Sequence, residues 1–138
     1  MFEAEKKKIE GELSELLVSL GVSDPDIQWK WIPFNGQWGI STSFFAVASQ
    51  LAKAGKPGKV GDIASTVAEK AKGRLGIPEG FERVEAINGY LNLIFSTPVF
   101  ARVVLDEVVE QATDFGRIPR RQEQVMVEFS QPNTHKAI

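Results

Sequence analysis

The sequence predicts a single α+β domain of two layers, an antiparallel sheet covered by helices in the order α-β-β-α-α-β-β-α. Three observations predict it. Apolar residues recur at helical spacing in four stretches, and the short runs between them alternate as strands do. The strand-like runs come in pairs joined at Asn35-Gly36 and Asn88-Gly89, dipeptides suited to two-residue hairpin turns. The chain has 138 residues, enough for one domain to bury roughly two-thirds of its unfolded surface without a disulfide or a metal. Hairpins separated by helices make an antiparallel sheet rather than a parallel one.

The first element is a helix. Ile9, Leu13, Leu16, Leu17 and Leu20 form one stripe, charged residues cover the remainder, and Gly21 is a stop. Asp24-Pro25 turns the chain. Ile27, Trp29 and Trp31 then alternate with Gln28 and Lys30 as a half-buried strand closed by Pro33, and residues 38–41 supply its return. Residues 43–54 make a second helix with Phe44, Val47, Ala48 and Leu51 inward, broken by Gly55-Lys56-Pro57-Gly58. Val60, Ile63, Ala64, Val67, Ala68 and Ala71 mark the third. Residues 81–87 and 90–95 are the second hairpin. Thr97-Pro98 reads as an N-cap followed by an N1 proline, and Ala101, Val104, Leu105, Val108, Val109 and Ala112 form the stripe of the last helix, ended by Gly116. Residues 117–122 are a basic, proline-containing linker, and residues 125–129 read as a strand with no closing helix. The domain is therefore expected to span residues 1–116, and residues 117–138 to begin something longer.

Composition removes several classes of function. With no Cys, a disulfide scaffold, a thiolate nucleophile, a zinc ribbon and an iron–sulfur site are excluded. The single histidine is His135, so a Ser-His-Asp triad would rest on one near-terminal ring. No apolar stretch approaches the ~20 residues that span a bilayer, and the charged N-terminus lacks a signal peptide's apolar run. No membrane association is expected, and a cytoplasmic monomer is the default. Sixteen basic against 18 acidic residues leave a net charge of −2, so contact with nucleic acid would run through a local patch.

The candidate sites differ in weight. Residues 55–62 (GKPGKVGD) look like a phosphate loop but place Pro57 where Ser or Thr would hold Mg²⁺, and they join two helices; a connector is the better reading. Asp24 and Asp26 lack a third ligand nearby and read as a solvated turn, so no metal site is expected. Trp29, Trp31 and Trp38 could stack on bases but are assigned to the sheet's core face. Strand 90–95 is more informative. Leu91, Leu93 and Phe95 share one face, which puts Tyr90 and Asn92 together on the other. An aromatic ring beside an amide can stack on a base and bond its edge, or can merely decorate a solvated strand; the pattern leaves both open.

The C-terminal stretch Val127-Glu128-Phe129-Ser130-Gln131-Pro132-Asn133-Thr134-His135-Lys136-Ala137-Ile138 resembles the segment leading into the His-x-Gly-His motif of arginyl-tRNA synthetases. There the pattern is Val-Glu-Phe-Ser-Ser-Pro-Asn-x-x-Lys-Pro-Leu, and seven positions agree. Gly89-Tyr90-Leu91-Asn92 is similar to a second landmark, Gly-(Phe/Tyr)-(Leu/Ile)-Asn, in the additional domain preceding that family's catalytic domain. Gly36-Gln37-Trp38, followed by the alanine-rich residues 45–53, resembles a third, Gly-Asp-Tyr, with Gln37 replacing the acid.

The resemblance implies an α+β domain of about this size with an antiparallel sheet. It implies that Tyr90 and Asn92 contact the D-loop region of tRNA(Arg), and that Glu128, Ser130 and Asn133 hold the arginine substrate in the parent enzyme. The parent would be an arginine–tRNA ligase that takes arginine, ATP (with Mg) and tRNA as substrates. This chain would need no cofactor, and, lacking the nucleotide-binding motifs, it would be inactive alone. The alternative is a non-enzymatic α+β module that binds RNA or docks a protein.

Overall fold

A computed structural model describes residues 2–33 and 36–117. The order of elements is α1 (Glu3–Ser19), β1 (Lys30–Trp31), β2 (Gly39–Ser43), α2 (Phe45–Lys53), α3 (Val60–Leu75), β3 (Phe81–Ile87), β4 (Tyr90–Phe95) and α4 (Thr97–Gln111), followed by a 3-10 turn at Ala112–Asp114. This is the expected α+β succession. The four strands form one antiparallel sheet in the order β1-β2-β4-β3, so the two hairpins join through β2 and β4.

Side-chain alternation sorts the sheet into a covered and an uncovered face. Ile40, Leu91, Leu93 and Phe95 are buried against the helices. On α3 the buried positions are Ile63, Ala64, Val67, Ala68 and Ala71. Three small alanines in that stripe let the helix backbone lie close to β3 and β4. Leu13 and Leu17 of α1, with Val47, Ala48 and Leu51 of α2, close the core from the flanks.

Two backbone features hold β3 and β4 in register. An irregularity between Phe81 and Arg83 lets Phe81 face the core opposite Phe95 while Val84, three residues on, faces it opposite Leu93. The turn at Asn88 (φ 50°) and Gly89 (φ 82°) has both residues in the left-handed region, as a two-residue hairpin of the primed type requires. Gly89 is needed twice over. A Cβ there would lie 2.8 Å from Ala64 Cβ and 3.1 Å from the Phe45 ring, and the Gly89 carbonyl accepts a hydrogen bond from Phe44 N–H.

Four expectations need correction. The strand expected over residues 27–31 is confined to Lys30–Trp31. The Trp29 indole N–H donates to Glu10 Oε1 at 2.8 Å, which ties the preceding residues to α1 instead of β2. The tryptophans are not all core: Trp31 and Trp38 are 50% and 44% exposed. They lie at the edge of the sheet beyond the cover of α1, α2 and α3, where Trp38 stacks on Phe100 at 5.5 Å and meets Trp31 edge-on at 6.4 Å. Finally, α4 buries no side chain fully. Its first turn is anchored by Phe100 against Phe2, Phe95 and Trp38, but Leu105 and Val109 of the expected stripe are exposed. Ser96, not Thr97, is the N-cap of α4.

Candidate nucleic-acid interface

The face of the sheet turned away from the helices is polar around Asn92, with Ile87 exposed at one end and Ile94 buried at the other, and its rows follow from the register. Lys30, Ser41, Asn92 and Glu85 stand side by side across the four strands, because Lys30 pairs with Ser41, Ser41 with Asn92, and Asn92 with Glu85. The adjacent row is Ser43, Tyr90 and Ile87. Tyr90 and Asn92 therefore share the uncovered face, as strand alternation predicts, while Leu91 and Leu93 between and beyond them are completely buried.

Each side chain of the pair is held by a neighbour. The Tyr90 ring is 44% exposed and meets the Phe45 ring edge-on, with centroids 5.6 Å apart at 63°. That contact holds one side of a ring whose residue is otherwise nearly half exposed. Asn92 Oδ1 accepts a hydrogen bond from Ser41 Oγ at 2.6 Å, whereas its Nδ2 has no partner among the described residues. Beside Tyr90 lies a groove of about 480 Å³, lined by Tyr90, Ser41, Ser43, Lys30, Gln28 and Gln50 among others. Its walls are the turn at residues 24–26, the β1–β2 edge and Ala46, Val47 and Gln50 of α2.

Charge on this face is nearly balanced. Lys30 has no carboxylate within ion-pair distance among the described residues, but Asp24 and Asp26 line the same groove. Arg83 is committed to Glu85 at 2.7 Å and to Gln37 Oε1 at 2.8 Å. Such a surface can stack, donate and accept hydrogen bonds, and offer one free cation. It is not a phosphate funnel.

No family model matches the chain. Among curated proteins it is 32% identical to the arginine–tRNA ligase of Methanobrevibacter smithii over 142 residues, covering 96% of this chain and 23% of that protein. The corresponding enzyme of Methanococcus maripaludis strain C6 is 29% identical over 122 residues, covering 88% of this chain and 20% of the other. Among solved structures, Thermus thermophilus arginyl-tRNA synthetase superposes with a TM-score of 0.55 at 25% identity over 72% of this chain and 15% of that one. This chain is homologous to arginyl-tRNA synthetases. It spans about a fifth of the length of the curated relatives it matches.

Against that homology the expected site residues divide in two. Tyr90 and Asn92 are brought together on one accessible face. Glu128, Ser130 and Asn133 lie outside the described residues. Gln37, where the synthetase family has an acid, accepts from Arg83 without adding negative charge. Sequence reasoning missed Ser41, Lys30 and Phe45. The alternation of Ile40 and Thr42 with Ser41 and Ser43 carried a signal for the first. For Phe45 there was none, since helical spacing marks Phe44 as the inward residue.

Proposed function

We propose that this chain is the tRNA-contacting N-terminal domain of an arginine–tRNA ligase. The whole enzyme would activate arginine with ATP and Mg as arginyl-adenylate and then transfer it to tRNA(Arg). In this reading residues 1–116 form the tRNA-contacting domain and residues 117–138 lead into the catalytic domain. Glu128, Ser130 and Asn133 there help hold arginine. A carboxylate pairs with the cationic substrate, and serine and asparagine bond its polar groups. The domain itself needs no cofactor, and the enzyme works in the cytoplasm. Among the described residues no helix is long and apolar enough to cross a membrane.

One observation carries the proposal: Tyr90 and Asn92 stand together on the uncovered face, beside a groove and a free lysine. An unpaired D-loop base would stack on the open face of Tyr90, which every base can do through its π-surface. Asn92 Nδ2 would donate to the edge of that base, and Lys30 would meet a neighbouring phosphate. Contacts to one base do not require a basic domain, which accords with a net charge of −2.

Competition binding tests the reading. A labelled tRNA(Arg) transcript bound to the chain should be displaced by unlabelled tRNA(Arg). A transcript with its D-loop bases replaced should compete about fivefold or more less well, the loss of one stacked base. Equal competition by the two transcripts refutes D-loop recognition.

A further inference from the structure

Helix α4 has an apolar side that no other described element covers. Its inward residues Phe100 and Val103 pack on the core. Leu105, Val108, Val109 and Ala112 follow at i, i+3, i+4 and i+7 and make a second stripe, turned outward. Leu105 is 63% and Val109 77% exposed. The surface continues past the stripe. One turn before Leu105, Arg102 borders a groove of about 650 Å³ between α1 and α4, lined also by Ile9, Leu75, Ile77 and Val99, and Ile77 and Val99 are exposed as well. Contiguous exposed apolar surface of this kind marks a contact face.

Charge and position choose the occupant. α4 carries one basic residue, Arg102, against Asp106, Glu107 and Glu110, and none of the three acids is ion-paired among the described residues. Such a helix repels phosphate, so the stripe is not a second tRNA site. Two copies face to face would oppose two net-negative helices. This chain matches about a fifth of the length of its curated relatives, and α4 is its last helix among the described residues. A domain tethered just beyond α4 is held at an effective concentration on the order of millimolar, so a modest contact suffices to seat it.

We infer that the outward stripe of α4, with the groove beside Ile77, seats the catalytic domain of the same polypeptide through an apolar patch edged by basic residues. The inference rests on the reading of residues 117–138 as the lead into that domain. Seated there, the catalytic domain leaves the tRNA-contacting face free. α4 follows Phe95, whereas Tyr90 stands at the other end of β4, about 17 Å away along the strand. The joint fixes where Tyr90 stands relative to the ligase site.

Hydrogen exchange in the 138-residue chain and in the full-length enzyme tests the joint. Amides of residues 101–111 should exchange at least about tenfold more slowly in the full-length enzyme, since burying even one Leu or Val is worth that much. Leu105→Glu with Val109→Glu should abolish the difference. It should also raise the KM for tRNA(Arg) about fivefold or more, through misplacement of the tRNA, and leave the KM for arginine unchanged. In the 138-residue chain the same pair should shift the melting temperature by less than about 4 °C, because exposed positions contribute little. Leu105→Ala with Val109→Ala, which keeps good helix formers, should lose part of the protection. Equal exchange in the two proteins overturns the inference, and so does protection that survives the Glu pair. Slow exchange in the 138-residue chain that is lost on dilution makes a second copy the occupant and overturns it too. A full-length protein that charges no tRNA(Arg) refutes the ligase reading, whereas failure of the joint shows in the exchange of α4.

Discussion

Truncating Tyr90 and Leu93 separates the two faces of one strand. The residues are three apart on β4, and their exposures differ sharply: 44% for Tyr90 and 0% for Leu93. Tyr90→Ala removes a ring already half in water, whose main intramolecular contact is the edge-on meeting with Phe45 at 5.6 Å. Such aromatic pairs contribute ~0.5–1.5 kcal/mol, so a stability loss of about 1 kcal/mol is expected. Leu93→Ala leaves a cavity under α3 and should cost ~2–5 kcal/mol. At about 4 °C per kcal/mol for a chain of this size, the melting temperature should fall by about 4 °C in the first variant and about 8–20 °C in the second. Binding should follow the reverse order. Loss of a stacked base costs ~1–3 kcal/mol, or about five- to 150-fold in affinity for tRNA(Arg), in Tyr90→Ala. Leu93→Ala should bind nearly normally while folded. The measurements are thermal unfolding by circular dichroism and tRNA affinity by anisotropy, both well below the lower melting temperature, with Tyr90→Phe as a control that keeps the stacking face. A Tyr90→Ala variant that melts like Leu93→Ala would show that the ring belongs to the core. One that is folded and binds tRNA(Arg) as tightly as wild type refutes the stacking argument.

Two further outcomes follow from other parts of the structure. Gly89→Ala should destabilise the domain by ~2–4 kcal/mol in urea unfolding, since its Cβ would lie 2.8 Å from Ala64 Cβ at a φ of +82°, combining left-handed strain with overpacking; a loss under about 0.5 kcal/mol would mean the turn can move away from α3 freely. Because Lys30 is the free cation of the face among the described residues, tRNA affinity should fall only about three- to sevenfold between 50 and 200 mM salt, the slope of one or two single-strand phosphate contacts. A loss of twentyfold or more would place most of the binding on other cations.

Local pattern was enough to read the order of helices and strands and which side of β4 each residue takes. Strand alternation has a period of two and cannot be shifted without moving Leu91 and Leu93 into water, so Tyr90 and Asn92 had to share the opposite face. The Asn88-Gly89 turn was equally readable, because few other dipeptides accept two successive positive φ angles. What the pattern could not carry is partnership across the chain. Ser41 meets Asn92, 51 positions away in sequence, only because β2 pairs with β4 rather than standing in a separate hairpin, and no local signal specifies that junction. The same limit explains the misplaced tryptophans and α4. Apolar spacing identifies a buried face only when another element lies over it, and at the end of the sheet α1, α2 and α3 do not reach Trp31 and Trp38. Local periodicity thus decided secondary structure and facing, while tertiary packing decided which faces were covered, which side chains met, and where the groove beside Tyr90 opened.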